Sequence, residues 1–367
     1  MENTTAYLHE YGKYTFAEHP FSEVDSLIMC QLSYLKFAAL APGFERNKAA
    51  ASFRFMKRRE QFDSLFVKEW FEEEYREFYE AIYRSKRFRH LKVSYYVDIV
   101  KEELEMQFAA MTFFMEDGLT YIAFRGTDES LVGWKEDFNM AFLSPIPAQE
   151  AALYYLKEVA GRVPGKLIIG GHSKGGNAAI YAAMESEAEI RKRIWRVYCF
   201  DGPGFREDIY QKEGYLDIQK RIVKIVPEAS FVGMLLQNKS NYIIVESDGK
   251  GALQHDPFTW RVSAGQFVYK KEIFRTSIYG NKSLNSWIEK LSKEALQVFV
   301  DTLFEIIYGT KAATVMELTE SRHKSILAMM SAAKNLDRDT KKFMLQVIAL
   351  LFKNGKKKQP GDLHTPL

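Results

Sequence analysis

Between residues 90 and 250 the apolar residues fall in short, nearly unbroken runs: 91–99, 108–115, 119–124, 167–169, 194–200, 222–226 and 242–247. Each run is too short for a helix and most stop at Gly, Pro or Asp, so each predicts a strand. Asp117-Gly118, between the second and third runs, supplies the two positive-φ positions of a tight hairpin turn. Stretches between the later runs have helical spacing instead. In 149–159, Leu153, Leu156 and Val159 fall on one face. Strands alternating with helices predict a mostly parallel sheet joined by βαβ crossovers. Sites in such open sheets lie at the C-terminal ends of the strands.

The flanks are patterned differently. Residues 21–37 predict a helix capped by Ser22, with Val24, Leu27, Ile28, Leu32 and Leu35 on one side. Residues 41–55 read as a loop, and 1–20 have no assignable pattern. In 56–89, Phe66, Trp70, Tyr75, Phe78 and Ile82 recur at near-helical spacing among Glu, Lys and Arg. They predict one or two amphipathic helices, with the basic group at 85–89 as a solvated face. From about 283 the pattern is helical throughout. Leu284, Trp287, Ile288, Leu291, Ala295 and Val298 form one stripe ended by Gly309. A shorter helix is expected near 326–333, and Phe343, Met344, Val347, Leu350 and Leu351 form a further stripe. The expected division is a helical segment 1–90 packed on the core, an α/β core 91–280, a helical region 281–353 and a flexible tail 354–367.

Composition changes this picture little. The chain has 367 residues and a net charge of +3, so nothing in it argues for nucleic acid. Its 27 Phe and 20 Tyr read first as a bulky core. The two cysteines, Cys30 and Cys199, are too few for a disulfide framework and lack metal-ligand spacing. No signal peptide is visible, and no uncharged apolar run approaches the ~20 residues of a membrane span. The expectation is a cytoplasmic protein. The lysines at 356–358 leave open only a weak peripheral membrane contact.

The candidate chemistry centres on Gly171-His172-Ser173-Lys174-Gly175, a G-x-S-x-G pattern between the apolar run 167–169 and an alanine-rich helix. A serine on a tight strand-to-helix turn is thrust out of the sheet, beneath the positive end of the following helix. That placement suits a nucleophile whose reaction passes through an oxyanion. The serine needs a base, and in this arrangement the base follows it and an intervening acid along the chain. Of the later histidines, His364 lies in the tail and His323 among helix residues, so His255, in a glycine-flanked loop, is favoured. His172 is expected to pack beneath the site. For the acid, Glu228 is favoured because it follows the later strand; Asp201, after Phe200, is the alternative, and Asp248 and Asp256 are weaker. Lys174 contributes its backbone N–H to an oxyanion hole, and Thr127, in the loop Arg125-Gly126-Thr127, is the second donor. Phe231, Val232, Met234, Leu235 and Leu236 read as an acyl-binding wall or as buried packing.

Taken together, Phe124-Arg-Gly-Thr127 with Trp134 and Asp137, the GHSKGG elbow, FDGPGF at 200–205 and His255 with Trp260 resemble the class 3 (fungal-type) lipases. SYLKF, GTDESLVGWKEDFNM and QHDPFTW bring the likeness closer to a bacterial, Mbeg-like branch of that family. The resemblance covers about residues 20 to 265. It implies an α/β-hydrolase fold with helical additions at both ends, and a cofactor-free serine esterase or lipase acting on a small-molecule ester or lipid. It implies Ser173 as nucleophile, His255 as base, and Thr127 and Lys174 as oxyanion donors. The family's acid loop carries aspartate where this chain has Glu228, and leucine is usual where this chain has Lys174. A cation there would favour an anionic or polar acyl substrate, or be a surface lysine pointing away from the cleft. A thioesterase or peptidase with the same triad, a non-catalytic binding module, and a membrane-associated lipid-handling protein are the alternatives.

Overall fold

The computed structural model describes residues 2–45, 49–66, 72–115, 118–236, 241–274, 285–312, 314 and 317. The chain opens with α1 (Thr4–Tyr11), α2 (Glu23–Leu32), a short edge strand β1 (Ala51–Ser52), α3 (Phe53–Met56) and α4 (Glu72–Arg84). The antiparallel strands β2 (Lys92–Lys101), β3 (Met106–Phe114) and β4 (Thr120–Phe124) follow. Then come α5 (Leu131–Asn139), α6 (Pro147–Ala160), β5 (Leu167–His172), α7 (Lys174–Glu185), α8 (Ala188–Arg193), β6 (Ile194–Phe200), α9 (Glu213–Ile218), β7 (Ile222–Pro227) and β8 (Tyr242–Val245). The small strands β9 (Val262–Ser263), β10 (Gln266–Phe267) and β11 (Tyr269–Lys270) precede the helix α10 (Lys293–Tyr308).

Among the described residues nine strands form one sheet, in the order β1-β2-β3-β4-β5-β6-β7-β8-β11, and β4 to β8 are parallel. This is an α/β-hydrolase sheet whose parallel strands lie side by side in chain order. Right-handed crossovers that step the same way across a sheet put their helices on the same face. One face therefore receives α6, α7 and α9, which cover Ile122, Phe124, Ile169, Val197 and Cys199. The opposite face, with Tyr121, Ala123, Ile168, Phe200 and Ile225, has no crossover to bury it. It is covered by Val24, Leu27 and Ile28 of α2 and Phe78 and Ile82 of α4. The alternation of neighbouring residues between these two cores is the two-residue period of a strand.

α2 starts where the capping pattern places it. Ser22 caps Asp25 N–H, and the Asp25 carboxylate reaches back to Ser22 N–H at 2.8 Å. The same carboxylate takes Arg87 Nε and Nη2 at 2.6 Å each, and both side chains are fully buried. Tyr121 of β4 points its hydroxyl at Ser26 Oγ, 2.7 Å away on α2.

Several elements differ from the pattern reading. Residues 1–20 include a helix, and the loop 41–55 ends in an edge strand that pairs with β2. The connection at 210–220 contains α9, whose Tyr215 and Ile218 are buried. The single stripe expected from 284 breaks at Leu291, because Ser292 accepts Ala295 N–H and starts α10 afresh; Val298 consequently faces solvent. Asp117 and the helices expected after 318 lie outside the described residues. The helix α10 lays Leu296, Phe299, Leu303 and Phe304 against Leu131 and Phe142, and Lys135 of α5 ion-pairs with Asp301 at 2.9 Å. No described helix is long and apolar enough to cross a membrane.

Replacing Asp25 with Ala strands the Arg87 guanidinium in the core. The expected loss of stability is about 3–5 kcal/mol, read from urea unfolding; a loss below about 1 kcal/mol would show that water reaches the site.

Candidate active site

Four of the parallel strands deliver side chains to one end of the sheet. β5 ends at His172, and Ser173 follows with φ +59° and ψ −134°, a left-handed conformation that few non-glycine residues adopt. Its N–H is held by Phe200 O of β6 at 2.9 Å, and its carbonyl starts α7 by accepting Gly176 N–H. The turn closes only because of the glycines beside it: a Cβ on Gly171 would lie 2.2 Å from Gly175 C. The loop after β4 comes equally close. A Cβ on Gly126 would stand 2.9 Å from Ser173 Cβ and 2.6 Å from His172 O. Thr127 and the N-terminus of α7 therefore flank the serine.

His255 follows β8, in the loop reached after Asp248. Its Nδ1 lies 2.6 Å from Asp201 Oδ2, at the end of β6. The carboxylate accepts, so the ring carries its proton on Nδ1 and Nε2 remains an acceptor. Asp201 is fully buried with φ +47°. Its other oxygen, Oδ1, accepts Ser230 Oγ at 2.5 Å and Gly233 N–H at 3.1 Å. The acid paired with His255 is thus Asp201 and not the favoured Glu228. The reason is lateral: His255 reaches from beyond β8 across β7, and its ring stands at the end of β6, next to β5. Glu228 sits one strand further out, its backbone tied to Val245 O and to Phe274 N–H. The loop read as acid-bearing supplies instead the two donors that hold Asp201. Gly233 is required there, since a Cβ would meet Asp201 Oδ1 at 2.3 Å. Asp256 is turned away, accepting Phe258 N–H.

Lys174 offers its backbone N–H beside the serine, but its side chain is neither in the cleft nor on the surface. Nζ is buried against Gln107 O, Gln107 Oε1 and Glu136 Oε2, at 2.9, 2.9 and 2.6 Å. Glu136 of α5 also accepts Gln107 N–H and Ala148 N–H, so every oxygen of the pair is satisfied. This bridge ties the helix behind Ser173 to the helix behind the Thr127 loop. Thr127 Oγ1 donates to Asp137 at 2.7 to 2.8 Å. Burial pushes the Asp137 carboxyl up to about 6, against the pull of the Lys174 ammonium and the Thr127 hydroxyl.

His172 packs behind His255, ring centroids 4.5 Å apart. Its Nε2 bonds His255 O at 2.8 Å, and because a carbonyl only accepts, Nε2 carries the proton. Nδ1 then accepts the Tyr34 hydroxyl at 2.9 Å. Burial first, and the neighbouring His255 second, hold this imidazole neutral. Tyr34, on the segment after α2, lies within the SYLKF motif, but its contact with His172 is seen only once the helix is laid on the sheet. Glu136 likewise lies within the GTDESLVGWKEDFNM motif without a role legible there, and the parts of Ser230 and Gly233 as donors to Asp201 are not legible either. Asn177 braces the outside of the site, donating to Pro203 O and Gly204 O and accepting from Gln149. The half-buried residues Phe231 to Leu236 lie beside it, with Leu236 lining a cavity of about 230 Å³ with Phe205 and Ile288. Among the described residues no cluster of His, Cys, Asp and Glu is placed to hold a metal ion.

A family model described as Mbeg1-like matches residues 82–305. Comparison with curated protein sequences finds no match. Among solved structures the chain is similar to M37 lipase, at 16% identity and a TM-score of 0.35, over 58% of this chain and 70% of that one. It is similar to Rhizomucor miehei lipase in its propeptide complex at 17% identity and a TM-score of 0.31, over 43% and 57%. Lipase from Rhizopus microsporus var. chinensis is similar at 16% identity and a TM-score of 0.31, over 56% and 72%.

Lys174→Met leaves the Glu136 carboxylate buried and unpaired, with an expected cost of about 3–5 kcal/mol in urea unfolding. In a double-mutant cycle with Glu136→Met, the two losses should fall short of additivity by about 1–3 kcal/mol; additive losses would mean the pair is not coupled. Asp137 binds its proton more tightly folded than unfolded, where its ordinary value is 3.8. Stability it contributes is therefore lost as pH rises from about 4 to about 6. Asp137→Asn should stabilise the protein at about pH 8 and have little effect at about pH 4; equal effects at both would contradict the assignment.

Proposed function

The chain belongs to the Mbeg1-like family, whose model spans more than half of it, and from that premise we propose that it is a serine hydrolase cleaving carboxylic esters. The observation that carries the reading is the pair His255 Nδ1–Asp201 Oδ2 at 2.6 Å, in the loop cluster around a positive-φ serine. Ser173 Oγ attacks the ester carbonyl while His255 Nε2 takes its proton. Asp201 holds the imidazole in the required tautomer and stabilises its cationic form. The backbone N–H groups of Lys174 and Thr127 receive the developing oxyanion; the Thr127 hydroxyl is engaged with Asp137. The tetrahedral intermediate collapses, His255 returns the proton to the leaving alcohol, and an acyl-enzyme remains. Water, deprotonated by His255, attacks it and regenerates Ser173.

This reading requires no metal and no organic cofactor. Thioesters and activated amides pass through the same oxyanion, and a substrate series separates them.

A fluorophosphonate probe should label the wild-type protein and leave Ser173→Ala unlabelled; equal labelling would remove the serine from the mechanism. On a nitrophenyl ester, Asp201→Asn should lower kcat about 10,000-fold, whereas Glu228→Gln should leave it nearly unchanged. The reverse order would return the acid to β7.

A further inference from the structure

The single-turn helix α3 and the end of α4 form a surface that the site does not use. Arg54, Arg58 and Arg59 are exposed on and just after α3, and Phe55 among them is 51% exposed. The Arg59 guanidinium lies 4.4 Å from the centre of the Phe55 ring. Arg54 N–H bonds Arg89 O, which brings Arg89 alongside; Arg87 of the same basic group is not on the solvated face its pattern predicts but turned into the core on Asp25. Exposed Lys92 pairs with Ser52 across β1 and β2. Lys57 and exposed Arg84 share one acid, Glu80. Partial burial, and then the nearby Arg84 cation, hold the Lys57 ammonium below its usual value, as expected where positive charge is crowded.

We propose that this surface docks on a membrane rich in anionic lipid, with Phe55 entering the headgroup region and the guanidiniums pairing with lipid phosphates and carboxylates. A basic cluster is attracted to an anionic leaflet, and a bulky apolar side chain at its centre adds the second signal that stable peripheral binding needs. Phe55 has no polar tip to keep in water, and one of its ring faces is already occupied by Arg59. Single-stranded nucleic acid is held instead by open aromatic faces on which bases stack.

The place of the surface in the fold sets what docking does. Lys92 lies opposite Phe114, and Phe114 opposite Thr120, the first residue of β4. The surface is therefore at the N-terminal ends of the parallel strands, and Ser173 is at the other ends. A docked molecule turns its site away from the bilayer, toward soluble substrate. Recruitment and catalysis are then separable.

The test is co-sedimentation with vesicles of phosphatidylcholine, with and without phosphatidylserine, alongside hydrolysis of a soluble nitrophenyl ester. The wild-type protein and Ser173→Ala should both bind the phosphatidylserine vesicles at low salt, release as salt rises, and ignore phosphatidylcholine alone. The triple variant Arg54→Glu, Arg58→Glu, Arg59→Glu should bind about 100-fold more weakly and hydrolyse the ester as wild type. Phe55→Ser should weaken binding about tenfold. Should the triple variant fail to fold by circular dichroism, Phe55→Ser and the wild-type salt titration carry the same decision. Wild-type indifference to phosphatidylserine, a folded triple variant that binds undiminished, or a preference for polyuridylic RNA over vesicles would each overturn the proposal.

Discussion

The order of the parallel strands constrains the rest of the molecule. β4 to β8 never reverse direction across the sheet, so their right-handed connections leave one sheet face bare. A face carrying Tyr121, Ile168, Phe200 and Ile225 cannot remain in water. The first ninety residues supply the missing layer, and the buried Asp25–Arg87 pair locks that layer to itself. The same order assembles the candidate site. Consecutive strand ends bring the loop of Thr127, then Ser173, then Asp201, and finally the loop of His255, into one row.

That row is held by buried polar groups that bond one another. Lys174 and Glu136 fasten α7 to α5 behind Ser173. Ser230 and Gly233 fix Asp201 from the side opposite His255. A neutral His172 holds the His255 loop by its carbonyl and is itself held by Tyr34. Each such group is costly to bury alone and inexpensive once paired, so the constellation is stable only in its assembled form. The layer that completes the core thereby also reaches the site, through the single hydroxyl of Tyr34.

Local pattern revealed what local physics determines. The strands at 194–200 and 222–227, the Ser22 cap and the glycine-lined elbow were legible because burial, capping and positive φ each leave a residue-level mark. The choice between Glu228 and Asp201 was not, because it depends on which strand lies under the histidine ring, a lateral relation that spacing along the chain does not encode. The Lys174 side chain was misplaced for a related reason. A lysine beside a nucleophile reads as cleft or surface, and its acceptors on β3 and α5 are 67 and 38 residues away. The break before α10 was present as Ser292, yet the apolar stripe running through it masked the cap.

The torsion of Ser173 has a consequence for how such a protein ages. At φ +59° and ψ −134° a side chain is carried at a cost of order 1–3 kcal/mol, and glycine would sit there unstrained. The position proposed for the nucleophile is thus one where losing the side chain would relieve backbone strain. Selection for robustness alone would erode it, and a serine is kept there only while something is gained from its hydroxyl.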